Sequence, residues 1–303
     1  MNKGGVSPAE APALVASATL MGETAARVHV LTEAEGLVRG MVHGGASRAG
    51  RALWQPGNVV RTTIRQRGDT GLPTFSGELL YGCAGRLFSA PLALAMVQSA
   101  CTLLETTLPE REPCLPLFAA SVRLLSFLGY DAAVAEREGM PHYILWEAEL
   151  LRTLGFGLDL QACAVTGCVD NLAYVSPRSG RAVSEEGAGA WKDRLLPLPA
   201  FLRDAQAEGD IKDWQQGLAL TGYFLERHAF GQRHHPLPAA RTRLAQRLAQ
   251  SGEAGCPCAP HRAPVRAARL NAERAVRRRV RRTERRAPGR TRCWLTPRPP
   301  RWR

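Results

Sequence analysis

At Ser89 the hydrophobic pattern of this 303-residue chain switches from strand-like to helix-like, and that switch limits the fold more than any single motif does. Before it, from about Val15 to Leu80, apolar residues alternate in short runs. "ARVHVLTE" sets Val28, Val30 and Thr32 on one side. "LVRGMVHG", "NVVRTTIRQ" and "TFSGELLYG" follow, with turns at "EAEG", "WQPGN" and "RGDTGLP". Four or five such strands, glycine-rich at their bends, suit a small β-barrel. After Ser89 the spacing predicts helices over "SAPLALAMVQSACTLLETTL", capped by Ser89, and over "CLPLFAASVRLLSFLG", ending at Gly129. Three more follow: "MPHYILWEAELLRTLGFG", "IKDWQQGLALTGYFLERHAFG" and "PLPAARTRLAQRLAQ". The fold class is therefore α+β. The expected organisation is a disordered leader over 1–14, a barrel over 15–82, a helical domain over 83–250 with an insert at 160–188, and a disordered tail over 251–303.

The net charge of +13 does not belong to the body. From Pro260 onward there are sixteen Arg against Glu273 and Glu284, which leaves the preceding 259 residues close to neutral. The tail, rich in Arg, Ala and Pro with little apolar period, cannot build a core. Its composition is equally that of a GC-rich reading frame running past a stop. Inside the body, charge is concentrated locally. Gly36 to Gly68, "GLVRGMVHGGASRAGRALWQPGNVVRTTIRQRG", holds six arginines and no Asp or Glu.

Eight cysteines scattered through a chain large enough to fold without staples point to reduced thiols and a cytoplasmic setting. No apolar run approaches the ~20 residues of a membrane span. The N-terminal "MNKGGVSPAEAPALVASATL" is too polar for a signal peptide.

"MGETAARVHVLTEAEGLVRGMVHGGASR…LWQPGN" resembles the N-terminal domain of the RecO family of bacterial recombination-repair mediators, in its alphaproteobacterial form. That family shows G-E, a strand ending L-T, a glycine turn, a K-G-A-R/S strand end, then L-Q-P. "LPEREPCLPLFAASVRLL", "YILWEAELLRTLGFGLDLQACAVTG", "LAYVSPRSGRAVS" and "LTGYFLERH" continue the likeness in the family's order, over roughly residues 16–250. The resemblance implies an OB-type barrel and a helical domain with a four-cysteine zinc insert. It also implies a non-enzymatic activity: binding single-stranded and double-stranded DNA, annealing complementary strands, and helping to load RecA onto strands covered by single-strand binding protein. The implied partners are DNA, RecR and the acidic C-terminal tail of single-strand binding protein. The implied location is the cytoplasm, in association with the nucleoid.

An OB barrel holds a single strand across one face, with cations for phosphates and flat side chains for bases. The candidate DNA-binding residues are Arg39, His43, Arg48, Arg51, Arg61, Arg65 and Arg67. Arg39 and Arg61 alternate with apolar neighbours, as outward strand positions do. Arg48 and Arg51 lie in "GGASRAGRA", read as a loop flexible enough to fold over a backbone. His43 stands where the family often has Lys, which weakens a phosphate contact at neutral pH. Trp54 and Phe75 are the only aromatics between residues 16 and 80, and Trp54 reads as a barrel plug. Binding should therefore lean on phosphates.

The zinc insert is degenerate. Cys163 matches the family's first ligand, but Thr166, Val183 and Glu186 stand at the other three positions and Cys168 is displaced. No metal is expected there, because structural zinc needs four donors. "LAYVSPRSGRAVS" should persist as a hairpin packed by Leu172, Tyr174 and Val183. "CPCAPH", with Cys256, Cys258 and His261, is a chance cluster in the tail. Glu105, Glu110 and Glu112 read as helix-end carboxylates. Leu225, Arg227, Phe230 and Arg233 form a candidate docking surface for an acidic peptide with a hydrophobic end. No P-loop, G-x-S-x-G or HExxH motif is present, so no catalytic residue or cofactor is assigned. Two readings result: a DNA-binding mediator, or a non-catalytic protein–protein adaptor whose nucleic-acid binding comes only from the basic tail.

Overall fold

The computed structural model describes residues 10–66, 71–204, 207–231 and 235–253. Arg67, Arg233, the "CPCAPH" cluster, the first nine residues and the Arg-rich tail lie outside that set.

Five strands close a barrel in the order β1 (Glu10–Met21), β2 (Ala25–Thr32), β3 (Gly36–His43), β5 (Thr74–Tyr81) and β4 (Val59–Arg65), with β4 returning to β1. All neighbours are antiparallel except β3 and β5, which meet at the single parallel bridge Met41–Thr74. This is the OB-like barrel expected from the sequence. The first strand corrects the leader, because β1 begins at Glu10, and Ala13 and Leu14 are fully buried. Proline at 12 and the small residues around it hid a strand that pairs on both sides.

The barrel is buried on two faces. Val15, Val28, Val30, Val38, Val42, Val60, Trp54 and Phe75 fill its interior, with the Trp54 and Phe75 rings 6.4 Å apart. Leu14, Ala16, Leu31, Leu37 and Val59 point the other way, into the core of the helical region. That explains why "ALVA" and "VL" break strict alternation: residues buried on both faces read as continuous apolar runs. Between β3 and β4 runs α1 (Arg48–Leu53), with Ser47 as its N-cap accepting from Gly50 N at 3.0 Å. The "GGASRAGRA" segment is thus a capped helical turn instead of a flexible loop, because Ser47 supplies the acceptor its first turn needs.

The helical region contains α2 (Pro91–Thr107), α3 (Leu115–Leu128) and α4 (Ala132–Thr153). α2 is not capped by Ser89. Glu136, on α4, reaches across to accept from Leu92 N and Ala93 N at 2.9 and 3.0 Å, which places an anion at a helix N-terminus. α4 starts eight residues before the expected Met140, capped by Asp131, and runs through Pro141. The insert folds as β6 (Leu172–Val175), β7 (Ala182–Ser184), the short α5 (Glu185–Ala188) and β8 (Leu196–Pro197). The expected hairpin is present, with a third strand added. α6 (Ile211–Phe224), a π-helical turn over Leu225–Phe230 and α7 (Ala239–Glu253) complete the fold.

One polar cluster lies inside the helical core. Arg241 of α7 donates from Nε and Nη2 to Glu147 of α4 at 2.5 and 3.0 Å. Thr221 Oγ1 and Tyr143 OH also donate to that carboxylate, at 2.5 and 2.7 Å. Ser99 of α2 meets Tyr143 OH at 2.7 Å, so the network ties α2, α4, α6 and α7. Burial and the adjacent Glu147 charge push the Tyr143 phenol well above its ordinary range.

Candidate nucleic-acid interface

The structure divides the candidate arginines into groups. Arg39, on the outward face of β3, is exposed and lies 3.4 Å from Glu110, just beyond α2. Arg61 of β4 faces its register partner Glu78 of β5 and pairs with it at 2.6 Å. The acid-free stretch therefore takes acids from other parts of the chain, and the expectation that Glu110 merely caps or solvates a helix end is corrected. Arg48 and Arg51 are exposed on α1, where Arg51 Nε donates to Ala46 O at 2.8 Å. Arg65 is exposed at the end of β4. Arg48, Arg51 and Arg65 have no ion pair among the described residues. His43 is exposed at the end of β3. α1 joins the end of β3 to the start of β4, whereas Arg65 enters the β4–β5 connection, so the cations are spread around the barrel.

Trp54 is only 2% exposed and cannot stack on a base; Phe75 is equally buried. The exposed aromatics Phe88, Tyr130 and Trp191 lie outside the five strands. Among the described residues, the aromatics of the barrel strands are the buried Phe75 and the half-buried Tyr81, which offer little stacking surface beside the guanidinium groups.

Sequence reasoning missed two arginines beside Arg39. Arg27 of β2 and Arg111, just after Glu110, line a recess of about 590 Å³ with Arg39, Gln66 and Pro73. Arg27 was legible in principle, since "ARVHV" places it with His29 on the outward phase of β2. Arg111 was not, because only the docking of the helical region brings it there. Glu105 of α2 also faces the barrel. It accepts from Ser17 Oγ at 2.6 Å and lies 3.0 Å from His29, contacts that hold its carboxyl below the usual range.

In the insert, Cys163 Sγ accepts from Ser184 N, Ser184 Oγ and Thr166 N at 3.2, 3.3 and 3.4 Å. Burial pushes this thiol up, but those hydrogen bonds outweigh it and bring it down to about 6. Val183 is buried and apolar, and no group of three or more His, Cys, Asp or Glu converges anywhere among the described residues. The donors present do not fit the family's four-ligand zinc: hydrogen bonds from Ser184 and Thr166 occupy the one thiolate.

The docking surface expected on Leu225, Arg227, Phe230 and Arg233 is corrected. Leu225 and Phe230 are 0% and 5% exposed and belong to the helical core. Arg227 is exposed and donates to Tyr223 OH at 3.2 Å.

Two family models match in succession: "Recombination protein O N terminal" matches residues 7–82 and "Recombination protein O C terminal" matches residues 89–237. The chain belongs to the RecO family. A "DNA repair protein RecO" from Gluconacetobacter diazotrophicus is 54% identical over 239 residues, covering 79% of this chain and 94% of the relative. Relatives with the same name from Granulibacter bethesdensis and Acidiphilium cryptum are 47% and 45% identical over 240 residues each, 94% of either relative and 79% and 78% of this chain. Neither RecO model reaches the Arg-rich segment after Pro260. No described helix is long and apolar enough to cross a membrane.

Proposed function

We propose that this chain is a non-catalytic DNA-repair mediator of the RecO family. It binds single-stranded DNA through phosphate contacts on the barrel, anneals complementary strands, and helps to load RecA onto strands covered by single-strand binding protein. The observation that carries the DNA-binding part is the presence of exposed Arg48, Arg51 and Arg65 on a barrel that keeps Trp54 and Phe75 inside. Guanidinium forks grip phosphate oxygens irrespective of base, which suits annealing, where two strands of any sequence must be held with their charge neutralised. The names of the relatives support a role in DNA repair.

Partners follow from the family: RecR, and the acidic C-terminal tail of single-strand binding protein. With Leu225 and Phe230 buried, the described surface that best suits such a peptide is a recess of about 340 Å³. Leu145, Leu158, Leu160 and Leu202 line it with Arg152, Arg203 and Glu149; Glu149 holds Arg152 at 2.6 Å, so the peptide's acid would have to compete for that guanidinium. The test of the mediator reading is annealing of two labelled complementary strands by fluorescence transfer, with and without single-strand binding protein. Acceleration in both conditions supports it; no acceleration in either refutes it.

A further inference from the structure

The recess beside Arg39 has features that a solvated charged face lacks. Arg27 Nε is buried and has no hydrogen-bond partner among the described residues. A buried donor left unmade costs free energy until an acceptor arrives. Arg111 is a non-glycine residue at φ +62°, a backbone conformation that side-chain-bearing residues seldom adopt. It is held there by Arg111 N donating to Leu37 O at 2.8 Å and Arg111 Nη2 donating to Gln66 Oε1 at 2.9 Å. Backbone outliers of this kind concentrate at binding sites, where the surrounding structure enforces them.

Two of the described walls are tightly packed. At Gly36 an added Cβ would lie 1.9 Å from Glu112 O, so the β2–β3 turn is pressed against the segment carrying Glu110 and Arg111. At Gly40 it would lie 2.6 Å from Pro73 O, and Met41 N donates to that same carbonyl at 2.8 Å. Three arginines from three separate elements thus line one recess. Among the described residues, two acids face them. Glu110 pairs loosely with Arg39 at 3.4 Å, both side chains being about half exposed, and Glu105 is engaged by Ser17 and His29. Among the described residues, positive charge remains in excess.

We propose that the recess of Arg27, Arg39, Arg111 and Gln66 is a phosphate-binding subsite for a nucleic-acid strand on the barrel. The inference rests on the single-strand-binding reading above and locates one of its contacts. A phosphate accepts from several donors at once and matches planar guanidinium forks. It would displace Glu110 from Arg39. The phosphate could be an internal diester or a strand's terminal monoester, which carries the greater charge near neutral pH.

The test is site-resolved arginine modification by phenylglyoxal on the full chain, read by mass spectrometry. Three arms are compared with the free protein: oligothymidine, the same oligomer carrying a terminal phosphate, and inorganic phosphate at equal phosphate concentration. Saturating oligomer should slow modification of Arg39 and Arg111 by at least about fivefold, as desolvated charge-assisted contacts would. Protection by both oligomers marks an internal phosphate, and protection by the phosphorylated one alone marks a strand end; either supports the subsite. Equal protection by inorganic phosphate overturns it as a nucleic-acid site. If Arg48, Arg51 or Arg65 is protected while Arg39 and Arg111 react as in the free chain, the subsite falls and single-strand binding stands. If only arginines after Pro260 are protected, both fall. A second measurement uses Arg111→Gln in the full chain: strand protection of Arg39 should drop at least about threefold, and unchanged protection contradicts the subsite.

Discussion

Arg61 on β4 and Glu78 on β5 are register partners in the barrel and close an ion pair at 2.6 Å. A stretch with no acid of its own is neutralised in part by the strand beside it. A surface pair of this kind is worth about 0.5 kcal/mol to the fold, yet it matters for a polyanion, which must compete with Glu78 for the guanidinium. Glu78→Gln should therefore raise single-strand affinity by roughly two- to threefold at low salt and leave the melting temperature within a degree or two. Fluorescence titration with thermal melts on the same samples checks this. Unchanged or weaker binding would mean that Arg61 takes no part.

The buried Glu147–Arg241 pair should behave differently. Both side chains are almost fully buried, at 0% and 3% exposure. Removing one partner leaves an uncompensated buried charge, typically costing about 3–5 kcal/mol. Arg241→Met should lower the melting temperature by roughly 10 °C, at ~2–4 °C per kcal/mol for a body of this size. Replacing both residues by apolar ones should recover much of the loss. Calorimetry on the single and double variants decides it, and a double variant worse than either single would contradict the account.

Cys163 sets a pH dependence. Its folded-state value near 6 lies below the ordinary thiol value of about 8.5, so the folded protein favours the thiolate. That stabilisation is complete above the ordinary value and is lost as pH falls through 6. The gap in melting temperature between the parent and Cys163→Ser should be widest near pH 9 and should narrow steadily towards pH 6. Thiolate ultraviolet absorbance of the folded parent should titrate near pH 6 and be missing from the variant. A gap that ignores pH would contradict the hydrogen-bonded thiolate.

The same site predicts the metal content. With Thr166, Val183 and Glu186 in place of thiolates, purified protein should carry well under one zinc per chain, and a chelator should leave the melting temperature unchanged. One tightly held zinc per chain would show that these positions had been misread.

The barrel and the helices were legible because their apolar periods are strong. Val28, Val30 and Val38 alternate, and α6 and α7 show a regular helical stripe. What sequence could not give was anything made by the joining of barrel and helices. The start of β1 was read as part of a leader because Pro12 interrupts the pattern and Leu14 serves a second core across the barrel wall. The candidate cations were found by composition; Arg27 lies across the β2–β3 hairpin from Arg39, but Arg111 becomes their neighbour only through a seam between residues far apart in sequence. Leu225 and Phe230 looked like an exposed apolar face because periodicity cannot tell which of a helix's partners covers it. Trp54 was read correctly as a plug, since one aromatic beside a turn in a short-stranded barrel has a core to fill.

The most direct test of the central claim is single-strand binding by a chain ending at Ala259, which removes the sixteen arginines after Pro260. The affinity is measured over a range of salt, for this chain and for its variant with Arg39, Arg48, Arg51 and Arg65 changed together to Gln. If about four phosphates are engaged, log K against log salt should fall with a slope near −3. The quadruple variant should bind at least ~100-fold more weakly at moderate salt, about 3 kcal/mol, with its circular dichroism unchanged. A slope near zero in the shortened chain, or a folded quadruple variant binding within about threefold of its parent, would contradict the account and leave nucleic-acid binding to the tail.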